Sequence, residues 1–184
     1  MKKIVLTFGL LSGAITSLMM FATLPLIDRV SFDKLEILGY TTMVFSFLMV
    51  FFGIRSYREN LGGGKISFGQ ALKVGLLIML VSCACYVIAW EIIYFGIAPD
   101  FVDKYTNYMI EKSRAAGASA EAIAAQREQL KSFRALYDNP LINAGITFLE
   151  PLTVGLPVTL ISAAILRRKA PKTHSEADPA TAQL

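Results

Sequence analysis

Residues Val74–Pro99 read VGLLIMLVSCACYVIAWEIIYFGIAP and contain one charged side chain, that of Glu91. As an α-helix, a segment of this length extends about 39 Å, whereas the hydrocarbon core of a bilayer is about 30 Å thick. Lipid offers no hydrogen-bond partners to backbone amides, so a segment that crosses it must satisfy them internally. This stretch therefore predicts a membrane-spanning helix.

Three other stretches have the same character. Ile4–Ile27 and Ile37–Ile54 contain no charged residue, and Leu141–Leu166 contains only Glu150. We therefore predict an all-α fold, an integral membrane four-helix bundle that forms one domain over residues 1–169 and is surrounded by the lipid bilayer. The predicted spans are residues 4–27, 37–54, 74–98 and 141–166.

Positive charge orients membrane proteins, mainly through short loops close to the ends of spans. One side of the predicted bundle collects Lys2, Lys3, Arg55, Arg58, Lys65, Lys73, Arg167, Arg168, Lys169 and Lys172. The other side has Arg29, Lys34, Lys104, Lys112, Arg114, Arg127, Lys131 and Arg134. Most of the latter lie far from a span, so both termini are predicted to be cytoplasmic, with the protein in the cell inner membrane. The polar segment 170–184 is predicted to be a disordered cytoplasmic tail.

The composition favours this class over soluble alternatives. Hydrophobic residues make up 54% and charged residues 17% of the 184-residue chain, whose net charge is +4. The basic residues lie mostly near span ends, so no nucleic-acid partner is predicted. Cys83 and Cys85 are two positions apart on a helix and point away from each other, so we interpret them as buried apolar side chains. We predict no metal site, no cofactor and no catalytic residues.

The connection between Pro99 and Pro140 has strong helical patterning. Apolar side chains repeat on two successive helical faces, the first formed by Phe101, Tyr105, Tyr108 and Met109 and the second by Ile123, Leu130, Phe133 and Tyr137. Gly117 separates the two helices. We predict an extracytoplasmic amphipathic helical hairpin over about residues 100–138. It is either a lid that packs on the bundle or the headgroups, or a cap that binds a partner or ligand.

The connection Arg55–Gln70 contains the turn Gly62-Gly63-Gly64-Lys65. This turn lacks the first glycine and the Ser/Thr of a phosphate-binding loop, and it follows a membrane helix instead of a strand. We interpret it as a flexible turn. Arg55, Arg58 and Lys65 are expected to contact anionic lipid headgroups.

Several motifs of the chain resemble one known family. They are FGIRSYREN at residues 52–60, the GGGK turn at residues 62–65, SFGQALK at residues 67–73, PDF at residues 99–101 and the segment 155–169 that ends in LRRK. These motifs are similar to those of an uncharacterised bacterial membrane family, domain of unknown function 4199, over residues 3–169. The resemblance implies a small four-helix inner-membrane protein and brings no established activity or catalytic residues.

Ionisable groups at membrane depth cost about 2.5–3.5 kcal/mol at a helix centre, which makes them candidates for functional sites. Glu91 and Glu150 share a layer if their helices start level, and Asn143 is a polar neighbour. Pro151 removes a backbone hydrogen bond, so the segment after it is a candidate half-helix whose amino end points toward Glu150, as in some transporters. The alternative interpretation is structural: Glu91 hydrogen-bonds a neighbour such as Asn143 or Trp90, and the proline only shapes the helix.

Gly9, Gly13 and Ser17 place small side chains along one face of the first span. Such stripes let helices approach closely in lipid. Packing inside the bundle is the favoured interpretation, and contact within a homo-oligomer is the alternative.

The sequence supports two functional hypotheses. The first is a non-enzymatic membrane protein that acts through helix or hairpin contacts with another envelope component, either a membrane or a periplasmic protein. The second is a small oligomeric transporter or permeation subunit that uses Glu91 and Glu150. A membrane-embedded enzyme is less favoured because no nucleophile–base pair or ligand cluster is visible in the sequence.

Overall fold

Regular structure in the computed structural model, which describes residues 1–168, is almost entirely helical. Within those residues the α-helices are α1 (Lys2–Thr23), α2 (Phe32–Asn60), α3 (Phe68–Ile92), α4 (Phe101–Ala115), α5 (Ala120–Tyr137) and α6 (Pro140–Leu166). A 3₁₀ turn, Leu24–Leu26, extends α1, and a π-helical segment, Ile93–Ile97, extends α3. The all-α prediction is confirmed. The predicted disordered tail 170–184 lies outside the described residues.

Four of these helices, α1, α2, α3 and α6, are long and apolar enough to cross a membrane, as predicted. The connection between α2 and α3 is shorter than expected, because both helices extend into the predicted loop and leave only residues 61–67 between them. A capping box begins α3: Gln70 N–H donates to Ser67 Oγ at 3.2 Å, and Ser67 N–H donates to Gln70 Oε1 at 3.3 Å. This reciprocal pair satisfies backbone amides that would otherwise lack partners at the helix start.

The bundle is organised around α3, which packs against α1, α2 and α6. Its buried side chains include Ile78 and Met79, which join Phe47, Val50 and Ile54 of α2 in one apolar core. The opposite faces of the helices expose large apolar side chains, among them those of Leu18, Phe45, Leu149 and Ile165. Such an outward apolar surface suits a lipid environment.

Glycine lies at the closest crossings of the bundle. A Cβ atom added to Gly13 of α1 would lie 2.5 Å from Cys85 Cβ of α3, and one added to Gly75 of α3 would lie 2.7 Å from Thr159 Cγ2 of α6. A Cβ atom on Gly155 of α6 would likewise lie 2.7 Å from Met79 Cγ. The absence of a side chain at these positions is what allows the helices to approach.

Three buried hydroxyl groups link the helices at the centre of the bundle. Ser12 Oγ lies 2.9 Å from Ser82 Oγ and 3.2 Å from Ser46 Oγ, which joins α1 to α3 and α2. All three side chains are almost completely buried. Hydrogen bonds of this kind hold helices together in membranes, where lipid cannot replace them.

At one end of the bundle, eight cationic side chains lie in short connections or at the ends of spans. We call it the basic end and define it by Lys2, Lys3, Arg55, Arg58, Lys65, Lys73, Arg167 and Arg168. There the loop after α2 pairs with the chain after α6: Ile66 N–H donates to Arg168 O at 3.2 Å, and Arg168 N–H donates to Ile66 O at 2.9 Å. The side chain of Ile66 is buried at this junction.

The opposite end is covered by α4 and α5, residues Phe101–Tyr137, which we call the cap. Phe32, at the start of α2, contacts the rings of Phe101, Tyr105 and Tyr108 with centroid distances of 5.2–5.7 Å. These contacts explain why the aromatic face predicted for α4 is turned toward the bundle.

Ion pairs also fasten α4 to the connection between α1 and α2 and to the first turn of α2. Lys104 Nζ lies 2.9 Å from Asp28 Oδ1, and Lys112 Nζ lies 2.7 Å from Asp33 Oδ2. Hydrogen bonds to these carboxylates raise the pKa of both lysines. All four side chains are solvent-accessible, so each pair contributes little energy by itself and mainly fixes the position of α4.

The second cap helix, α5, folds back on α4 after a sharp turn. Gly117 has a φ of 84°, which favours glycine, and Ser119 Oγ caps α5 by accepting from Ala122 N–H at 3.2 Å. Arg134 of α5 pairs with Asp103 of α4. The membrane side on which the cap lies stays a prediction.

We predict that Gly13→Ala lowers the free energy of unfolding by about 1–3 kcal/mol, because its methyl group would overlap the side chain of Cys85. Gly145→Ala is the matched control, since its Cβ would meet no atom within 4 Å. Alanine is the better helix former, so this control should be neutral or slightly stabilising. Unfolding in mixed detergent micelles, followed by circular dichroism, measures both. Equal stability of the two variants would contradict the close α1–α3 crossing.

Candidate functional site

The polar side chains nearest the cap gather where α3 ends and where α5 turns into α6. Tyr94, in the π-helical extension of α3, donates from its hydroxyl to Asp138 Oδ1 at 2.6 Å. Its ring meets that of Tyr137 with a centroid distance of 5.3 Å. Trp90 packs edge-on against Phe101 of the cap at 4.9 Å. This aromatic layer joins the cap to the spans, at a position where aromatic side chains are common in membrane proteins.

Asn143 lies one turn into α6 and is fully buried. Its Nδ2 donates to Tyr137 O at 3.1 Å, and its Oδ1 accepts from Thr147 Oγ1 at 3.2 Å. The hydroxyls of Thr147 and Tyr137 lie 3.0 Å apart, which closes the network. Asn143 therefore satisfies the last carbonyl of α5 and fixes the angle at which the cap meets the bundle.

The start of α6 is set by its own sequence. Asn139 Oδ1 accepts from Leu141 N–H at 3.0 Å, and Pro140 occupies the first helical turn, where a missing N–H has no cost. The helix then runs without interruption to Leu166. The predicted half-helix after Pro151 is therefore wrong, because one buried proline removes a single backbone bond and the packed helix around it continues.

Glu150 lies deeper in the bundle than the network of Asn143 and is held by one side-chain hydrogen bond. Its Oε2 accepts from the hydroxyl of Tyr86 on α3 at 2.8 Å. Tyr86 is buried, whereas Glu150 is half-buried. Tyr86 also borders a cavity of about 60 Å³ between α1 and α2, whose wall includes Thr16 and Thr42. Within residues 1–168 the carboxyl group thus has one hydrogen-bond partner, Tyr86, which itself borders this small and mainly apolar cavity.

Glu91 has a different environment. Its Oε1 and the neighbouring Trp90 Nε1 are buried, and neither has a hydrogen-bond partner within residues 1–168. The expected bonds from Glu91 to Asn143 or Trp90 are therefore not formed, since Asn143 is engaged by Tyr137 and Thr147. A buried acceptor without a donor is costly, which makes Glu91 Oε1 an unusual polar atom in this part of the chain.

The two carboxylates do not meet. Glu150 is level with Tyr86, which precedes Glu91 on α3 by roughly 7.5 Å along the helix. The two carboxylates would share a layer only if α3 and α6 were level at the end of the bundle nearest the cap. They are not level there: Tyr94 contacts Asp138, so the last residues of the α3 extension lie beyond the start of α6. A functional role for Glu91 or Glu150 stays a prediction.

The basic residues expected at the headgroups differ in their surroundings. Arg58 is only 13% exposed and donates to Glu59 Oε1 at 3.2 Å and to Leu166 O at 3.4 Å, so it chiefly connects α2 to the end of α6. Arg55 and Lys65 are exposed. For these two side chains, headgroup contact stays a prediction.

The small residues of α1 face α3. Gly9 lies against Val81, Gly13 lies against Cys85, and Ser17 Oγ donates to Cys85 O at 3.4 Å. This stripe is used within the chain, which is the interpretation favoured from the sequence. Cys83 and Cys85 are free thiols, and in residues 1–168 no group of three His, Cys, Asp or Glu side chains is arranged to hold a metal ion.

The sequence alone does not single out Tyr86 and Tyr94, and it assigns Tyr137 only to an apolar face and not to a polar network. The usable signal was the presence of tyrosines at buried positions of apolar faces, because a buried tyrosine hydroxyl usually has a hydrogen-bond partner. Their partners, however, depend on the helix register, which one-dimensional spacing does not determine.

The helices and their buried polar links define a four-span α-helical membrane protein with a helical cap. The chain belongs to the family described as "Protein of unknown function (DUF4199)", whose model matches residues 7–168. No curated protein and no solved structure shows significant similarity to it.

We predict that the contact between Tyr86 and Glu150 contributes a coupling energy of at least about 0.6 kcal/mol, the average for hydrogen bonds inside a membrane protein, and at most about 1.7 kcal/mol, the largest such value. A double-mutant cycle of Tyr86→Phe and Glu150→Met measures it, with the fluorescence of Trp90, the only tryptophan, reporting unfolding. Tyr57→Phe combined with Glu150→Met is the control, since Tyr57 lies at the basic end of α2, far from Glu150 along the bundle. A coupling of zero in the first cycle would contradict this contact.

Proposed function

We propose that this protein is a non-enzymatic inner-membrane protein that acts through its cap, which binds another component of the cell envelope. In this proposal both termini are cytoplasmic and the cap is extracytoplasmic. The proposal is supported above all by one observation: α4 is fastened to the bundle, whereas α5 leaves most of its surface uncovered.

The uncovered surface of α5 is a defined helical face. Between Ala120 and Leu136, every residue is exposed except Ile123, Gln126, Leu130 and Arg134. These four follow helical spacing and form the single stripe that rests on α4. The opposite side of the helix, formed by Glu121, Ala125, Glu128 and Ser132, is what we call the free face.

A helix that only needed to shield the bundle would bury a wider apolar stripe. Here the cap holds α5 at a fixed place by the turn at Gly117, by the pair of Arg134 with Asp103 and by the buried Tyr137. A rigid helix with a solvated face is a suitable docking element, because little conformational entropy is lost when a partner binds.

The orientation in this proposal rests on charge. The basic end combines eight Lys and Arg side chains with one carboxylate, that of Glu59, among residues 1–168. At the cap end acidic and basic side chains are mixed, and several of the latter are paired with Asp28, Asp33 or Asp103. Positive charge favours the cytoplasmic side mainly in short connections and at span ends, where all eight Lys and Arg of the basic end lie, whereas six of the eight at the other end lie on α4 and α5.

We predict that a photoreactive amino acid at Ala125 or Ser132 forms a discrete adduct with one envelope protein in intact cells. Glu128→Lys should reduce the yield of this adduct at least fivefold, because it reverses the charge at the centre of the free face. Immunoblots of irradiated cells measure the yield relative to total protein.

Glu111→Lys is the matched control, because it reverses an exposed carboxylate of the same cap on α4 and should leave the yield unchanged. Equal loss in both variants would indicate a nonspecific charge effect. The absence of a discrete adduct at both positions, in protein that is normally folded, would contradict the proposal.

A second candidate function is a small oligomeric transporter or permeation subunit that uses intramembrane carboxylates. It is favoured by the buried Glu91 Oε1, which lacks a hydrogen-bond donor within the described residues, and by the contact of Glu150 with Tyr86 beside a small cavity. Ionisable groups at such depth often lie on ion or proton pathways. The packed core between the two carboxylates and the basic end makes this the weaker candidate.

Proton flux into liposomes that contain the purified protein and a pH-sensitive dye tests this second function. If it is correct, Glu91→Gln and Glu150→Gln each lower the flux tenfold or more, because a neutral amide cannot carry a proton. Glu121→Gln, at the exposed start of α5, serves as control and should have no effect. A wild-type flux no higher than that of empty liposomes would exclude this function.

A further inference from the structure

A groove runs along the lipid-facing side of the bundle at the basic end, between α1 and α2. It has a volume of about 390 Å³ and is open along most of its length. Phe8 of α1 forms one wall, and the face of α2 from Met49 to Asn60 forms the other. This groove has no role in the function proposed for the cap, which lies at the opposite end.

The lining of the groove changes from apolar to polar along α2. Phe8, Met49 and Phe52 line its inner half, whereas Arg55 and Ser56 begin its outer half, a single helical turn beyond Phe52. A turn of helix is about 5.4 Å, so the change is abrupt. The groove thus has the polarity profile of the boundary between acyl chains and headgroups.

Arg55 supplies a cationic group at this boundary. Its side chain is 54% exposed, and its Nε donates to Glu59 Oε1 at 2.9 Å. Its two terminal amino groups make no hydrogen bond to any residue from 1 to 168. The pairing with Glu59 holds the guanidinium in place, and its free edge has the geometry that binds phosphate oxygens.

The surrounding charge favours an anionic occupant. Glu59 is shared between Arg55 and Arg58, which leaves this group of three with one net positive charge. The remaining described side chains that define the basic end are cationic. Lys and Arg side chains near the membrane surface attract anionic lipid headgroups.

We infer that this groove binds one anionic phospholipid, with an acyl chain against Phe8, Met49 and Phe52 and with its phosphate at Arg55. Lipid is the occupant that surrounds a membrane-spanning helix pair, and it combines an apolar chain with an anionic group at this spacing. A second copy of the chain would place its own cationic basic end against this one, which like-charge repulsion disfavours.

Native mass spectrometry of the full-length protein in detergent tests the inference. Phosphatidylglycerol is the anionic probe, and phosphatidylethanolamine with the same acyl chains is the zwitterionic comparison. We expect one phosphatidylglycerol molecule to remain bound to the wild type, with phosphatidylethanolamine retained at least fivefold less. Arg55→Gln should reduce phosphatidylglycerol retention about tenfold, because a neutral amide replaces the phosphate donor.

Two further variants make the test specific to the groove. Lys73→Gln removes the same charge from a position of the basic end outside the groove and should retain the lipid. Ser56→Phe fills the groove without changing its charge and should abolish retention, with circular dichroism showing that the protein remains helical. Equal loss for Arg55→Gln and Lys73→Gln, or equal retention of the two lipids, would overturn the inference. A lipid-free dimer that Ser56→Phe disrupts would also overturn it.

Discussion

The close approach of α3 to its neighbours is the constraint on which the rest of the structure depends. Lipid tails are as apolar as the side chains they surround, so hydrophobicity does not draw helices together inside a bilayer. Dispersion contacts and hydrogen bonds must do so, and both require short distances. Glycines such as Gly13 and Gly155 provide the space, and the hydroxyls of Ser12 and its two partners use it.

Polar groups inside the spans differ in how completely they are satisfied. Ser12 and Asn143 belong to closed networks and serve to fix the helices and the cap. Glu150 has a single side-chain partner, and Glu91 Oε1 has none within the described chain. A fully satisfied network rigidifies a fold, whereas a buried acceptor without a donor stores free energy that a ligand or proton can release. The number of hydrogen-bond partners therefore separates structural from candidate functional residues better than depth in the membrane alone.

The helical class and the four spans follow from uninterrupted apolar sequence, because only a helix satisfies its backbone in lipid. Helix ends are harder to predict, since the capping box of Ser67 and Gln70 begins α3 before its apolar stretch does, so the loop before α3 is shorter than the apolar pattern predicts. The relation between Glu91 and Glu150 was beyond sequence reasoning, since it depends on the contact between Tyr94 and Asp138, far apart along the chain. The same holds for Phe32, whose aromatic partners all lie on α4.

The docking of α4 on the connection between α1 and α2 and on the start of α2 has a consequence for biosynthesis. Chains are made from the amino terminus, so Asp28, Phe32 and Asp33 are in place before Lys104 and Lys112 leave the ribosome. The residues that the cap contacts are therefore synthesised before the cap itself, and α6 is the last of the described helices to join the bundle. Asn143 of α6 then donates to Tyr137 O, so this hydrogen bond, which fixes the angle of the cap, forms only after the last described helix has joined the bundle.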